Sequence, residues 1–503
     1  MTMDYVLGVD VGTGGTRAVL VDRSGAIVSS ATSEHQPFAS PKIGWAEQDP
    51  HDWHKAAGSA IREAISSAGI SAANIKCAGL AGQMHGAVLL DQNDEVLRPS
   101  LIWCDQRTQT QCDWLNSKLG EARIIELTSN PALTNFTLTK LLWVRDNEPE
   151  IWKRFRRVLL PKDYVRLRLT GEHAIDVADA SGTLMLDVAH RRWSEEMMLA
   201  AELPMSCLPK VYESPEVCGR ITATGATHTG LNEGTPVVAG AGDQAGGAVG
   251  MGIVRAGAVS ATIGTSGVVF AATDSPAMDK KGRVHTFCHA VPGRWHVMGV
   301  TQAAGLSFRW LRDLVRTTSP GLSYDDLIGE AATAQPGSDG VLWAPYLMGE
   351  RTPHLDPNAR GTLTGLAASH TRAHVTRAVL EGVAFSLKDT FSLFDEMRVP
   401  VTNIRLGGGG ARSDLWRQIQ ADAYAHEVEI LAAEEGAAYG AALLAGVGAK
   451  FWNSVDEACD AVVKVQQRVK PQPDGTDALR KQYQNYRQLY PALKSLFRSI
   501  SAS

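Results

Sequence analysis

One local pattern occurs twice in the chain, and it limits what the chain can fold into more than any other feature. Tyr5-Val6-Leu7-Gly8-Val9 is a short apolar run, Asp10-Val11-Gly12-Thr13-Gly14-Gly15-Thr16 is a turn, and Arg17-Ala18-Val19-Leu20-Val21 is a second apolar run. About half-way along, Ala258-Val259-Ser260-Ala261-Thr262-Ile263, Gly264-Thr265-Ser266-Gly267 and Val268-Val269-Phe270-Ala271-Ala272 follow the same order. Short runs rich in β-branched residues and bounded by glycine read as strands. A repeat spaced this widely points to two related domains, because a solenoid repeats every few tens of residues. Chance remains open beside it, since Gly-Thr turns are common in strand-rich chains.

With 503 residues the chain is long enough for two large domains or three smaller ones. Residues 52–65 have helical spacing, with Trp53, Ala56, Ala57, Ala60 and Ile61 toward one side. Residues 75–81 and 87–91 read as strands around the turn Gly82-Gln83-Met84-His85-Gly86. Later, 372–394 reads as one long helix, 404–406 as a strand before four glycines, and a helix starts near Ser413. The tail, 477–499, has the spacing of an amphipathic helix with Tyr483, Tyr486, Leu489, Tyr490, Leu493 and Leu496 inward. The glycine-dense stretch 236–272 reads as tight turns between buried strands, with a domain boundary within 246–257. Strands mixed with helices make this an α/β chain.

Charge and cysteine content narrow the class. The 49 basic and 54 acidic residues leave a net charge of −5, which argues against a nucleic-acid or acidic-membrane partner held by bulk electrostatics. Seven cysteines, without a CxxC pair, fit free thiols in a reducing compartment. The N-terminal stretch carries Asp4 and Asp10 and lacks a basic segment, so it does not read as a signal peptide. No uninterrupted apolar run is long enough for a membrane helix. The expected location is the cytoplasm.

Three glycine-rich loops follow apparent strands, at 12–15, 264–267 and 407–410. Such loops let backbone N–H groups approach phosphate oxygens without a Cβ in the way, and Thr13, Thr265 and Ser266 add hydroxyl donors. None is a Walker A loop, because no lysine directly follows a glycine. A glycine-rich turn that is only a turn is the plainer alternative for each. Asp243 stands in the small-residue run Ala239-Gly240-Ala241-Gly242-Asp243-Gln244-Ala245-Gly246-Gly247. A carboxylate there must be solvated, paired, bound to a metal or functional, or it is a turn aspartate bonded to its own backbone. The Gln83-Met84-His85-Gly86 turn offers hydrogen-bond partners and a soft wall of the kind a small polyol needs, with a structural histidine as the alternative. His285 and His289 beside Cys288 are a weak metal motif and read as structural.

Taken together, these segments resemble the FGGY carbohydrate kinases over nearly the whole chain, closest to their bacterial xylulokinase branch. The stretches that carry the resemblance are GVDVGTGGTRAVLVD from Gly8, WAEQDPHDW from Trp45, GLAGQMHGAVLLD from Gly79, LIWCDQRT from Leu101, FTLTKLLWVRDNEPEIW from Phe136 and LLPKDYVRLRLTGE from Leu159. AGAGDQAGGAVGMG from Ala239, IGTSGVVF from Ile263, PYLMGERTPHLDP from Pro345, GVAFSLKD from Gly382 and LGGGGARSDLWRQIQAD from Leu406 continue it in order.

The resemblance implies two RNase H-like domains of the actin–hexokinase type around a central cleft. The expected division is 1–250, with the sugar site and first phosphate loop, and 251–503, with the nucleotide site and C-terminal helix. It implies ATP-dependent phosphorylation of a ketopentose, D-xylulose first, with Asp243 as general base. Met84, His85, Asp243 and Gln244 would bind the sugar. Thr13, Gly14, Thr265, Gly305, Gly409, Gly410 and Ser413 would bind the nucleotide. Asp10 and Asp243 would hold Mg²⁺, Asp10 through water. The expected assembly is a homodimer with a small-molecule sugar as its partner. One residue departs from the pattern: xylulokinases usually have Asn after the catalytic Asp, and here Gln244 stands there. A longer side chain fits a shifted or smaller sugar, so another ketose or a polyol is the alternative acceptor. A silent sugar- or nucleotide-binding regulator is a further alternative, and the intact Asp243 and loops argue against it.

Overall fold

The structure, a computed structural model, describes residues 4–432 and 436–501. The doubled block forms the middle of two seven-stranded sheets. In the first sheet, Tyr5–Val11 pairs antiparallel with Gly15–Asp22, which pairs antiparallel with Ile27–Glu34; on its other edge Tyr5–Val11 runs parallel to Ile75–Gly82. In the second, Gly257–Ile263 pairs antiparallel with Gly267–Thr273, which pairs antiparallel with Trp295–Thr301; its other edge runs parallel to Val401–Gly408. The likeness extends to register. Val11 lies opposite Thr16 and beside Gly82, and Ile263 lies opposite Gly267 and beside Gly408. Both central strands are buried along almost their whole length, which is why they read as continuous apolar runs and not as alternating ones.

Helices cover both sheets. Pro50–Ala68 lies on the first, with Trp53, Ala56, Ala57, Ala60 and Ile61 buried as their spacing predicts; Asp49 caps its start and Gly69, in the left-handed region, ends it. The opposite face is covered by Gly436–Gly448, a helix from the far end of the chain. A Cβ on Gly8 would come within 1.9 Å of the Ala438 carbonyl oxygen, so strand and helix backbones touch directly. The second sheet packs on Arg372–Glu396, Asp414–Tyr424 and Gly305–Arg316. Its other face joins a cluster that mixes both halves, Met84, Phe136 and Leu141 with Phe270, Phe287 and Met298. The final helix, Pro473–Ser501, buries Tyr483, Tyr486 and Tyr490, while Leu496, expected inward, is 51% exposed.

The expectation of turns throughout 236–272 needs correction. Asp243–Gly250 is a helix, directly following the short strand Ala241–Gly242. Glycine disfavours a helix interior, but here it permits contact. A Cβ on Gly440 would fall 1.8 Å from the Gly246 carbonyl oxygen, so the two glycine-faced helices meet backbone to backbone, and tertiary packing overrides propensity.

Candidate active site

Three strands of the first sheet end side by side. Val11 is beside Gly82, and Gly82 is beside Gly242. The residues that follow, Gly12-Thr13, Gln83-Met84-His85 and Asp243, therefore converge at one edge. Asp243 opens the helix Asp243–Gly250. Burial pushes its carboxyl up to about 7, with the nearby Asp10 charge adding to the rise, while the backbone and side chain of Gln244 pull it down. Burial likewise raises Asp10 to about 6 against the pull of Arg17, its cross-strand partner. Asp10 Oδ1 is buried without a hydrogen-bond partner among the described residues. An unsatisfied carboxylate oxygen within reach of a second carboxylate suits a hard divalent cation or its water, so the residues fit the expected Mg²⁺.

The Met84–His85 pair forms the adjoining wall. Met84 is buried against Gly242: a Cβ there would lie 2.8 Å from Met84 Cγ. His85 has a left-handed backbone, φ 68°, held by Lys140 Nζ at 2.8 Å and Thr137 Oγ1 at 3.2 Å, both donating to its carbonyl. Burial drives its imidazole down to about 3, so the ring is neutral. Its Nδ1 lies 2.6 Å from the Gly182 carbonyl; because a carbonyl only accepts, Nδ1 carries the proton and Nε2 is left as an acceptor. Phe136 meets His85 and His285 edge-on at 5.1 and 5.7 Å. Among the described residues, neither His285 nor His289 joins a group of side chains spaced to hold a metal. His285 Nδ1 pairs with Asn130 Oδ1 at 3.0 Å and His289 Nε2 with the Ile253 carbonyl at 2.9 Å.

Beneath this floor lies a sealed charge cluster. Lys162 Nζ is 2.6, 2.7 and 3.0 Å from Asp163, Asp176 and Asp179, and Arg166 joins Asp163 at 2.7 Å. The three carboxylates are close enough together to suggest a metal, but the ammonium of Lys162 already serves all three. Burial raises Asp179 well above the ordinary carboxylate range.

The second Gly-Thr loop faces a separate recess of about 540 Å³, lined by Gly264, Thr265, Gly305, Gly409 and Ser413 together with Phe308, Arg309, Tyr324, Arg412 and Trp416. Four of the predicted nucleotide residues, 148 positions apart at their extremes on the chain, thus line one recess. Gly305 is the tightest point, because a Cβ would come within 2.4 Å of the Gly264 carbonyl oxygen. Gly410 lies behind the lining, against Ile263. Ser413 also caps Asp414–Tyr424 by accepting the Trp416 amide at 3.3 Å. Thr13 is placed otherwise, in the first loop. Its hydroxyl accepts Trp103 Nε1 at 3.0 Å and its carbonyl accepts Gln48 Nε2 at 2.7 Å. Gly14 is exposed at the tip of that loop with open space around it.

Several site residues carried no signal in their own neighbourhood. Gln48, Trp103 and Lys140 act through contacts with Thr13 and His85 that are distant in sequence. Phe308 and Arg309 lie on the helix Gly305–Arg316, whose apolar stripe marks the buried side but not the recess-facing one.

Residues 5–250 match the N-terminal domain and 259–449 the C-terminal domain of the FGGY family of carbohydrate kinases. The chain is 38% identical to a xylulose kinase of Bacillus subtilis, over 98% of each chain. It is 39% identical to a xylulose kinase of Escherichia coli K12, over 97% of this chain and 99% of that one. A crystal structure titled "xyloylose kinase" from Brucella ovis superposes with a TM-score of 0.91 at 37% identity, covering 98% of this chain and all of that one.

Proposed function

The chain belongs to the FGGY family of carbohydrate kinases, phosphotransferases with an alcohol acceptor, and from that premise we propose that it transfers the γ-phosphoryl group of ATP to D-xylulose. The observation that carries the reading is the emergence of Asp243, in strand register, beside both Asp10 and the Met84–His85 wall. The xylulose kinases to which the chain is similar support the choice of sugar.

Asp243 accepts the proton of the reacting hydroxyl. Burial lifts the Asp243 carboxyl in the metal-free site, which favours a base, while a bound cation would pull it down again. Even so, in a loose phosphoryl-transfer transition state the proton leaves late, and Asp243 contributes mainly by orientation. Met84 packs against the carbon chain, and His85 Nε2 accepts a sugar hydroxyl. Thr265, Gly305 and Gly409 hold the phosphates of the nucleotide, and the aromatic floor of Phe308, Tyr324 and Trp416 takes its base. Asp10 and Asp243 hold Mg²⁺, which when bound neutralises charge on the phosphates. We further propose a cytoplasmic homodimer. Among the described residues, no helix is long and apolar enough to cross a membrane, and all seven cysteines are free.

Gln244 favours a second acceptor reading. Its side chain pulls the Asp243 carboxyl down, and its length suits a shifted or smaller sugar, a ribulose-like ketose or a polyol. Sugar-stimulated ADP release over a panel of ketoses and polyols tests both readings. We expect D-xylulose to give the highest kcat/KM. A higher value for another acceptor replaces it, and no sugar-stimulated release refutes the kinase reading.

A further inference from the structure

The Glu350-Arg351-Thr352 segment takes no part in the chemistry above, although it belongs to a motif of the resemblance. Its frame is rigid. Buried Glu350 accepts Thr301 Oγ1 at 2.6 Å and the Gln302 amide at 2.9 Å. The Thr352 amide donates to the Val300 carbonyl at 3.0 Å, and the Val300 amide donates back to Thr352 Oγ1 at 3.1 Å. Both anchors belong to the end of the strand Trp295–Thr301, whose Thr301 lies opposite Gly267 of the second Gly-Thr loop. Arg351 is therefore fixed at the cleft edge of the second sheet.

The guanidinium of Arg351 makes no hydrogen bond and no ion pair among the described residues. Other deeply placed arginines are paired: Arg107 with Asp105 and Glu47, Arg166 with Asp163, Arg377 with Glu381. Glu350 does not fill the role. Its oxygens are turned inward onto Thr301, Ser386 and the amides of Gln302 and Arg351. Arg351 is half-buried and its guanidinium nitrogens are not among the polar atoms sealed from water, so the unpaired fork is open to a ligand. Met298, two residues before the Val300 that Thr352 bonds, lies opposite His285, and the charge of Arg351 reaches His285 and His85, where burial above all keeps both rings neutral. These rings flank Phe136 in the sugar wall. Arg351 does not line the nucleotide recess.

We propose that Arg351 binds the acceptor sugar, its guanidinium donating hydrogen bonds from the second domain to sugar oxygens that His85 contacts from the first. This rests on the kinase reading. The chemistry is complementary: neutral His85 offers an acceptor at Nε2, Arg351 offers only donors, and a sugar hydroxyl can satisfy both at once. The planar fork of arginine is suited to a pair of neighbouring oxygens in a way that a lysine ammonium is not. It follows that the sugar site is complete only when both domains face it.

The test measures sugar and ADP dissociation constants by calorimetry for wild type and Arg351→Met, with the panel sugar that wild type binds most tightly. Arg351→Met is expected to weaken sugar binding at least about tenfold, about 1.4 kcal/mol, while ADP binding stays within about twofold. Arg351→Lys should recover part of the loss. An unchanged sugar constant, or an equal loss for sugar and ADP, overturns the proposal, as does a wild type that binds no sugar of the panel. If Arg351→Met does not fold, Arg351→Gln carries the same expectation and the same refutation. Wild-type turnover of D-xylulose, read separately, tests the kinase reading alone.

Discussion

The two Gly-Thr loops leave equivalent strand pairs at equivalent registers, yet they differ in what surrounds them. The first is closed down. Gln48 bonds the Thr13 carbonyl, Trp103 bonds its hydroxyl, and Gln83 reaches both the Gly12 carbonyl and Gln48. The second is open, with Gly264 and Thr265 exposed in the recess and the Thr265 side chain free of hydrogen bonds among the described residues. The strands beneath differ as well: where the first carries Asp10 beside Ala81, the second carries Thr262 beside Gly407. The parallel neighbour of the first runs on into Gln83-Met84-His85, and that of the second into Gly409-Gly410. A duplicated frame has thus divided its labour at the strand ends. Under the proposed function, carboxylates and polar side chains would face the hydroxyl and the cation on one side, and bare backbone the phosphates on the other.

Asp243→Ala strikes the chemical side hardest. Turnover should fall about 100- to 10,000-fold, the usual range for a general base, while ATP binding changes little; sugar-dependent ADP release within tenfold of wild type would break the division of labour. Next, Gly305→Ala forces a Cβ to within 2.4 Å of the Gly264 carbonyl oxygen and displaces the second loop. We expect the KM for ATP to rise about tenfold, ~1.4 kcal/mol, with sugar binding unaffected. Titrations of sugar and nucleotide on one preparation check it, and an equal effect on both would refute separate sites.

A pair of threonine variants sharpens the contrast at smaller scale. Thr265→Ala should raise the KM for ATP about fivefold without lowering Tm, about 1 kcal/mol for one hydrogen bond to phosphate. Thr13→Ala should instead lose about 1 kcal/mol of stability through its bonds to Trp103 and Gln83. Thermal melts and ATP titrations of both variants would expose the reverse pattern, if it held. The smallest expected effect is that of Gln244→Asn, a shift of about two- to threefold in kcat/KM toward D-xylulose over other panel sugars, less than 1 kcal/mol. An unchanged sugar profile would mean that Gln244 does not influence the acceptor.

How legible all this was depended on the distance over which the physics acts. The strands around 12–15 and 264–267 and the helix carrying Trp53 and Ile61 follow from periodicity within a dozen residues. The helix at Asp243 was hidden, because its glycines are tolerated only through contact with Gly436–Gly448, a partner nearly 200 residues away. Leu496 shows the opposite case: the buried stripe of its helix runs on through Tyr490 to Phe497, and Leu496 falls beside that stripe, not in it.

The sequence by itself determined the doubled strand-loop-strand frame, the glycines at which backbone must come close, and the isolation of Asp243 among small residues. These are local facts, set by side-chain size, turn chemistry and apolar spacing. Only the tertiary structure decided which of the two similar loops is open, that Lys140 holds the strained His85, and that Arg351 lies near His85 without an ion pair among the described residues. Desolvation, unmet hydrogen bonds and charge at a distance depend on which groups folding brings together, so a loop motif cannot carry that information in its own residues.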